Sequence, residues 1–306
     1  MIQKTAVLLL AHGSPESPAD VPEFIDRITA GRPVPEAVIE EVRHRYARIG
    51  KSPLTEITLA QGRALERALG LPVYVGMRNW KPFIADTMRQ ITADGVEHLL
   101  AICLAPQNSS TSVGLYRKAL MAELRPEITV RFVESWHDHP CLVRAFAEKL
   151  ETSWQSASRD AGAELPVIFT AHSVPTRTIQ AGDPYEEQAK ETARLVGQSI
   201  PALRSEVEHF AFQSQGMSGG PWLGPTVESA MLDLKKQGHR GMVIAPIGFV
   251  CDHVEVLYDI DIGFRKFAEQ QGLALWRTES LNTSPTFISA LAELATARLG
   301  AARTIG

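Results

Sequence analysis

The chain has few of the residues that build metal clusters and none of the long apolar runs that cross membranes. Its 306 residues include three cysteines, Cys103, Cys141 and Cys251, with no Cys-x-x-C pair among them. A disulfide framework or a four-cysteine metal or iron–sulfur site within one chain is therefore not expected, and the compartment is predicted to be reducing. No stretch approaches the ~18–20 apolar residues of a spanning helix, so no transmembrane segment is expected.

The chain also lacks an excess of charge of one sign. Its 31 Lys and Arg residues face 35 Asp and Glu, for a net charge of −4, which gives no support for binding nucleic acid or an anionic membrane surface. The apolar N-terminal run at residues 6–11 is short and has no cleavage pattern typical of a secretory signal. We therefore predict a cytoplasmic location.

Three common catalytic motifs are missing. The sequence contains no G-x-G-x-x-G, no P-loop and no H-E-x-x-H. Hydride transfer and nucleotide hydrolysis therefore lose their usual support in the sequence.

What the chain does contain is a regular alternation of strands and helices. Short Val-, Ile- and Leu-rich runs, apolar on both faces and flanked by Gly or Pro, are typical of buried parallel strands. The predicted strands are Thr5–Leu10, Leu71–Val75, His98–Leu104, Ile128–Val133, Val167–Thr170, His209–Gln213, Met242–Ala245 and Leu273–Arg277. Amphipathic segments between them include Thr55–Leu69, Pro82–Ala93, Pro140–Trp154, Pro184–Ile200 and Thr226–Gln237. The alternation predicts an α/β fold built on parallel sheets.

The second half of this pattern echoes the first. Ala11-His-Gly-Ser-Pro15 follows the first strand and Ala171-His-Ser-Val-Pro175 the fifth, while Ala-Pro pairs end the third and seventh strands. Two similar Rossmann-like halves are predicted, each a four-stranded parallel sheet flanked by helices, with a cleft between them. We assign residues 1–153 and 154–280 to the two halves, with the boundary near 153–164. Residues 281–306 are predicted to supply a helix that packs back on the body.

The two histidines in these matching motifs are candidate functional residues. Ligands of open α/β sheets bind outside the carboxyl ends of the strands, where His12 and His172 both fall. Two sheets facing each other would bring these side chains into one cleft. An imidazole there can accept a proton near neutral pH or bind a metal, although a histidine that only hydrogen-bonds loop backbone is the alternative.

A row of acids forms the second candidate. If the chain is helical from Asp252, then Asp252, Glu255 and Asp259 share one face and can pass a divalent cation inward. The alternative is a solvated acidic helix start. In such a helix His253 would lie off the acidic face, so we interpret it as structural. His137 and His139, which flank Asp138, give only weak support for a metal site.

Over essentially its full length the chain resembles the ferrochelatase family. Six ordered motifs carry the resemblance: Arg45-Tyr-Ala-Arg-Ile-Gly50 with Ser52-Pro-Leu54, Ala171-His-Ser-Val-Pro175, Gly182-Asp-Pro-Tyr185, Phe212-Gln-Ser214, Pro221-Trp-Leu-Gly-Pro225 and Phe249-Val-Cys-Asp-His-Val-Glu-Val-Leu-Tyr-Asp259. The family's fold, two Rossmann-like halves around a porphyrin cleft, agrees with the internal echo.

The resemblance implies an enzyme of haem biosynthesis that inserts Fe²⁺ into a porphyrin. It places the proton-accepting histidine on His172 and its partner glutamate on Glu255, and it assigns the metal contacts to His172 and Glu255, with Asp259 as an accessory metal ligand. A base of near-neutral pKa suits the loss of two pyrrole protons, and a carboxylate suits a dehydrating cation. Similar proteins carry a further acid where this chain has Gly263. Iron is then a substrate, with no fixed cofactor and no iron–sulfur cluster expected.

The resemblance also implies a set of porphyrin contacts. Arg45, Tyr46, Ser52 and Tyr116 match positions that contact the macrocycle or its propionates. Thr29 stands where relatives often carry arginine, and His12 stands where many carry a tyrosine able to ligate iron. The short length favours coproporphyrin III over protoporphyrin IX as substrate. A sirohydrochlorin or cobalt chelatase and a non-catalytic tetrapyrrole carrier are the alternatives, and partners other than porphyrin and Fe²⁺ are unknown.

Overall fold

Eight short apolar segments form two parallel sheets in the computed structural model, which describes residues 4–216 and 220–300. The strands are β1 (Thr5–Ala11), β2 (Val73–Met77), β3 (His98–Cys103), β4 (Thr129–Val133), β5 (Val167–His172), β6 (Glu208–Gln213), β7 (Gly241–Ala245) and β8 (Ala274–Arg277). The first sheet has the order β2-β1-β3-β4 and the second β6-β5-β7-β8. The prediction of two similar four-stranded parallel sheets is confirmed.

Strand β1 and strand β5 occupy equivalent inner positions. Val7 pairs with Val73 on one side and Leu100 on the other, and Val167 pairs with Glu208 and Val243 in the same way. Residues 6–10 of β1 are completely buried, because helices cover both faces of the sheet. The carboxyl ends of β1 and β5, which carry His12 and His172, therefore emerge at corresponding places.

Twelve α-helices connect and cover the strands within the described residues. They are α1 (Val21–Thr29), α2 (Glu36–Ile49), α3 (Leu54–Leu69), α4 (Ile84–Ala93), α5 (Val113–Ala122), α6 (Pro140–Ala161), α7 (Thr176–Gln180), α8 (Tyr185–Gln198), α9 (Val227–Lys236), α10 (Val254–Leu257), α11 (Arg265–Gln270) and α12 (Pro285–Gly300). Residues 259–264 form a π-helix between α10 and α11. None of the described helices combines the length and apolarity needed to cross a bilayer.

Helix α6 lies between the two halves rather than ending at their boundary. It runs seven residues beyond the predicted end at Trp154, through most of the polar stretch at 153–164. Its buried face includes Phe146 and Leu150, and one hydrophobic core joins them to Leu9 of β1 and Phe169 of β5. Helix α12 packs against α6 and α3. The division at residue 153 stays a prediction, because this core is shared by both sheets.

Buried polar side chains join the halves at the loop that follows β3. The Gln107 amide donates hydrogen bonds to Thr192 Oγ1 at 3.1 Å and to the Ile247 carbonyl at 3.3 Å. Asp183 Oδ2 accepts from the Ser110 amide at 2.6 Å and from the Ser110 hydroxyl at 2.7 Å. This group of contacts, which we call the α8 joint, fastens the first half to α8 and the residues before it.

Candidate active site

A close approach between two loops places His172 opposite Glu255. Strand β5 ends at His172, and Gly248, in the loop after β7, lies directly against that strand end. A Cβ atom at Gly248 would come within 2.8 Å of the Ala171 Cα atom, so the approach requires glycine. The loop then continues into α10 and sets Glu255 Oε1 3.5 Å from His172 Nε2. Both side chains are about a third exposed, at 34% and 32%, and so face an opening.

The pair forms an ion pair in the resting protein. Burial opposes the charge on His172, but the negative charge of Glu255 and the hydrogen bond to it outweigh that effect and raise the pKa to about 9. Burial likewise opposes the charge on Glu255, and His172 and His253 hold the pKa of its carboxyl well below the ordinary value. The His172 Nδ1–H donates to the Ser173 carbonyl, which directs Nε2 toward the carboxylate.

His253 belongs to the same group, so its expected position off the acidic face is wrong. Its Nε2 atom lies 3.5 Å from Glu255 Oε2, the oxygen that His172 does not contact. The ring packs edge-on against Phe249 at 4.7 Å between centroids, and Nδ1 hydrogen-bonds the Cys251 carbonyl at 3.0 Å. Glu255 is thus held between two imidazoles.

The expected row of three acids is also only partly correct. The helix begins at Val254 and passes into the π-helix after a single turn, so positions 252, 255 and 259 do not follow a 3.6-residue period. Asp252 instead accepts hydrogen bonds from Ser280 at 2.7 Å and Asn282 at 2.9 Å. Asp259 does lie close enough to Glu255 for their charges to interact: burial raises the pKa of the Asp259 carboxyl, the Ser214 hydrogen bond opposes the rise, and the negative charge of Glu255 adds to it.

Asp259 also connects the site to the first half of the chain. Its Oδ2 atom accepts a hydrogen bond from the Ser214 hydroxyl, and its Oδ1 atom lies 3.3 Å from Arg45 Nη1 on α2. The Arg45 side chain is 38% exposed, and its guanidinium lies over the Tyr258 ring, 5.4 Å from the ring centroid. Arg45 therefore reaches the second half at the edge of the site.

His12 faces the site from the first half in the opposite protonation state. Burial lowers its pKa to about 4, helped by Arg78 and His253 and opposed by the Gly13 carbonyl and Glu255. His253 and Glu255 thus lie within electrostatic range of His12, although they belong to the other half of the chain. With Nδ1–H donating to the Gly13 carbonyl at 3.0 Å, His12 is neutral at pH 7 and keeps the Nε2 lone pair.

The two candidate tyrosines are buried. Tyr46 is 3% exposed and pairs with the Ser14 hydroxyl at 3.1 Å, and Tyr116 is 6% exposed. Burial raises the pKa of both phenols, with Glu255 adding to the effect in each case. Both therefore stay protonated close to the site.

Two other candidate porphyrin contacts have only local partners. The Thr29 hydroxyl donates to the Ile25 carbonyl at 3.0 Å, in the last turn of α1. Ser52 is 3% exposed, and its hydroxyl accepts from the Leu54 amide at 3.5 Å before α3. These hydrogen bonds hold both side chains against neighbouring backbone. Among the described residues, neither side chain hydrogen-bonds Glu255.

Arg78 is a site residue that the sequence analysis missed. It follows β2, and its backbone amide donates a hydrogen bond of 3.0 Å to the carbonyl of Ala11, the residue before His12. Its guanidinium lies 5.9 Å from the Tyr116 ring centroid, and its buried Nε has no hydrogen-bond partner. Among the described residues no carboxylate lies within salt-bridge distance of it. Ligands of open α/β sheets bind at the carboxyl ends of the strands, which is why His12 was a candidate. The same strand-end rule selects Arg78, because it follows the neighbouring strand β2.

Comparison with known proteins assigns the chain to a family. The ferrochelatase family model matches residues 4–299. The chain belongs to the ferrochelatase family. A ferrochelatase of Acidobacterium capsulatum is 52% identical over 96% of this chain and 94% of its own length. A coproporphyrin III ferrochelatase of Geobacillus sp. strain WCH70 is 34% identical over 97% of this chain and 98% of its own.

Solved structures support the fold of this ferrochelatase-family protein. The sirohydrochlorin chelatase SirB of Bacillus subtilis subspecies spizizenii, crystallised with cobalt, aligns with a TM-score of 0.58 at 11% identity, covering 95% of this chain and 93% of its own. As a ferrochelatase the protein is a metal-inserting enzyme of haem biosynthesis, with a porphyrin and iron as substrates. The non-catalytic carrier is therefore discarded as an interpretation.

Proposed function

We propose that the protein inserts Fe²⁺ into coproporphyrin III, with His172 accepting pyrrole protons and Glu255 binding the incoming cation. The observation that carries this proposal is the 3.5 Å separation of His172 Nε2 and Glu255 Oε1 at the meeting point of the strand ends. A carboxylate is a suitable ligand for a dehydrating Fe²⁺ ion, and an imidazole is a suitable proton acceptor near neutral pH.

The resting ion pair between His172 and Glu255 sets the sequence of the steps: iron binds before His172 accepts a proton. At pH 7 His172 is protonated because Glu255 raises its pKa, and an imidazolium cannot accept a proton. When Fe²⁺ binds Glu255, the charge that stabilised the imidazolium is neutralised, and burial then favours the neutral ring. His172 releases its proton to solvent and becomes a base only once iron is in place. Two pyrrole protons then leave as Fe²⁺ enters, which balances the charge.

His12 is proposed to contact the macrocycle from the other side. It is neutral at pH 7, so its Nε2 lone pair is available to iron in the product without loss of a proton. Asp259 is proposed as an accessory ligand on the route by which the cation reaches Glu255. The remaining proposed porphyrin contacts are Thr29, Arg45, Tyr46, Ser52 and Tyr116.

The preference for coproporphyrin III is supported by a cation without an anionic partner. Coproporphyrin III carries more propionates than protoporphyrin IX, and each buried carboxylate needs a compensating donor. The Arg78 guanidinium lies beside Tyr116 with a buried, unpaired Nε. The relative from Geobacillus is a coproporphyrin III ferrochelatase, which supports the same substrate for this chain.

The catalytic roles are tested with the variant His172→Ala. We expect the rate of anaerobic Fe²⁺ insertion to fall by about 10²–10⁴-fold, because the positioned base is lost. Porphyrin binding, measured by fluorescence quenching, should change little. The matched control His12→Ala should keep the base and lose less activity. Full activity in the His172→Ala variant would refute the assigned role.

The substrate is tested by comparing kcat/KM for coproporphyrin III, protoporphyrin IX and sirohydrochlorin, each with Fe²⁺ and Co²⁺. We expect coproporphyrin III with Fe²⁺ to be preferred and Arg78→Gln to reduce that preference. Equal rates with the two porphyrins would contradict the substrate proposal and leave the His172 role intact. Faster insertion of Co²⁺ into sirohydrochlorin would establish the alternative chelatase.

Two further proposals concern cofactor and compartment. We propose that insertion needs no iron–sulfur cluster, since the three described cysteines are single free thiols. Purified protein should then show no cluster absorbance or electron paramagnetic signal at full activity. A cytoplasmic location is proposed because three reduced cysteines suit a reducing compartment, and cell fractionation tests it.

A further inference from the structure

A second group of metal-ligating side chains lies at the start of α6 and shares no residue with the His172–Glu255 pair. His139 immediately precedes α6, Cys141 lies in its first turn, and Glu293 projects from α12, which packs against α6. One ligand atom from each of the three lies within 4.8 Å of the other two. The group thus brings together a thiol, an imidazole and a carboxylate from two helices.

The contacts within this group leave ligand capacity unused. Cys141 Sγ donates to Glu293 Oε2 at 3.0 Å and accepts from Arg144 Nη2 at 3.2 Å. His139 Nδ1 is buried and has no hydrogen-bond partner, which is costly for a polar atom. A cation bound through this nitrogen would satisfy it, and binding of the sulfur would release the thiol proton. The unpaired nitrogen is independent of the thiol and is available to a ligand.

We propose that His139, Cys141 and Glu293 bind a divalent cation of the zinc class. Tetrahedral zinc with bonds of about 2.0–2.3 Å places its ligand atoms roughly 3.3–3.7 Å apart, so the three atoms need to move by little more than an ångström. Thiolate and imidazole favour zinc over the hard cations Mg²⁺ and Ca²⁺. A thiolate and a carboxylate also balance the charge of the ion.

The site would fasten the C-terminal helix to α6. Three protein ligands leave a fourth position for water, and Arg144, which is exposed, can keep its hydrogen bond to the sulfur as a support of the bound thiolate. Such a site binds Zn²⁺ more tightly than Fe²⁺, by the general order of metal affinities. A resident ion here therefore does not compete for the iron substrate, and it adds a fixed metal that the sequence did not predict.

The test titrates chelator-treated full-length protein with Co²⁺ in the absence of porphyrin. His172→Ala serves as the background, to weaken binding at the active site. We expect about one equivalent of Co²⁺ to produce a thiolate-to-metal charge-transfer band, and Zn²⁺ to abolish it by displacement. Cys141→Ala should remove the band. Glu293→Gln and His139→Ala should each weaken binding by about tenfold or more, because loss of even a supporting contact costs that much.

Matched controls identify the ligands. His137→Ala changes a histidine two residues away that hydrogen-bonds Ser135 at 2.8 Å, and it should leave binding unchanged. Cys251→Ala should also have no effect. Glu293 is exposed, so its variant tests the site even if Cys141→Ala disturbs folding. The proposal is overturned if no thiolate band forms, if the band survives Cys141→Ala, or if His137→Ala and His139→Ala are equivalent.

Discussion

The two histidines that follow β1 and β5 hold equivalent positions in the fold and opposite protonation states. Burial lowers the pKa of His12 to about 4, whereas the carboxylate of Glu255 raises that of His172 to about 9. At pH 7 one imidazole is neutral and the other is charged. The repeated fold determines where the histidines are, and the charges around each one determine what it can do.

The largest expected effect comes from removing the Glu255 charge, which makes the pKa of His172 higher than that of His12. In Glu255→Gln the pKa of His172 should fall by about 1–3 units, because an opposite charge at contact distance is lost. The pKa of His12 should stay low. Imidazole resonances followed by NMR across a pH titration measure both values. Asp259→Asn is the control, since its carboxylate has a smaller influence on His172. A His172 pKa that stays near 9 in Glu255→Gln would contradict this explanation.

The residues after the histidines should respond differently to alanine. Gly13 has φ of +85°, and a Cβ atom there would lie 2.7 Å from the Trp80 amide nitrogen. We expect Gly13→Ala to cost about 3 kcal/mol in the free energy of unfolding, from strain plus contact with backbone. Ser173→Ala should cost about 1 kcal/mol, the value of its hydroxyl bond to the Leu223 carbonyl. Urea unfolding compares them, and equal losses would contradict the prediction.

Stability should depend on pH with opposite slopes for the two histidines. The folded pKa of His12 lies below 6.5, so its contribution is present above pH 6.5 and declines as pH falls toward 4. The folded pKa of His172 lies above 6.5, so its contribution is present below pH 6.5 and declines as pH rises through 9.

Variants that cannot titrate measure these slopes. His12→Gln should flatten the acid side of the curve of unfolding free energy against pH, by an amount of the order of 1–3 kcal/mol. His172→Gln should flatten the alkaline side by less, because solvent screens a side chain that is a third exposed. If the two slopes were exchanged between these variants, His12 would not be the neutral imidazole and His172 would not be the charged one at pH 7.

The smallest effect is expected at the partly exposed contact between Arg45 and Asp259. Arg45→Gln removes an ion pair in which the Arg45 side chain is 38% exposed and the Asp259 side chain 11%, and solvent around the arginine limits the contribution of such a pair to about 1 kcal/mol. Thermal unfolding should therefore change little. A large loss of stability would mean that the Arg45–Asp259 contact holds the halves together more strongly than its exposure suggests.

The strands were predictable because their apolar character is local. Seven of the eight predicted strands begin within one residue of the observed start, and β2 begins two residues late. Pro72 has no amide to donate, although its carbonyl accepts from Val7 at 3.0 Å, so regular pairing starts at Val73. Local composition thus fixes where a strand is but not its end residues.

The site was only partly predictable, because its geometry depends on distant residues. His172, Glu255 and Asp259 do lie together, but no apolar pattern reveals the π-helix that ends the regular helical period at Tyr258. The protonation state of His172 depends on Glu255, which is far away in the sequence. Arg78 was missed since the strand-end rule was applied to histidines and not to every strand end.

The α8 joint has a mechanical consequence. Its hydrogen bonds from Gln107 are buried, whereas the Arg45–Asp259 contact is only part-buried, with side chains 38% and 11% exposed. If the two halves separate, we expect the contact with more access to water to open first and the buried one to act as a hinge. Opening of the cleft to a flat ring would then be a rotation about an axis near α8. Sliding of the halves past each other would break the hinge bonds and is opposed.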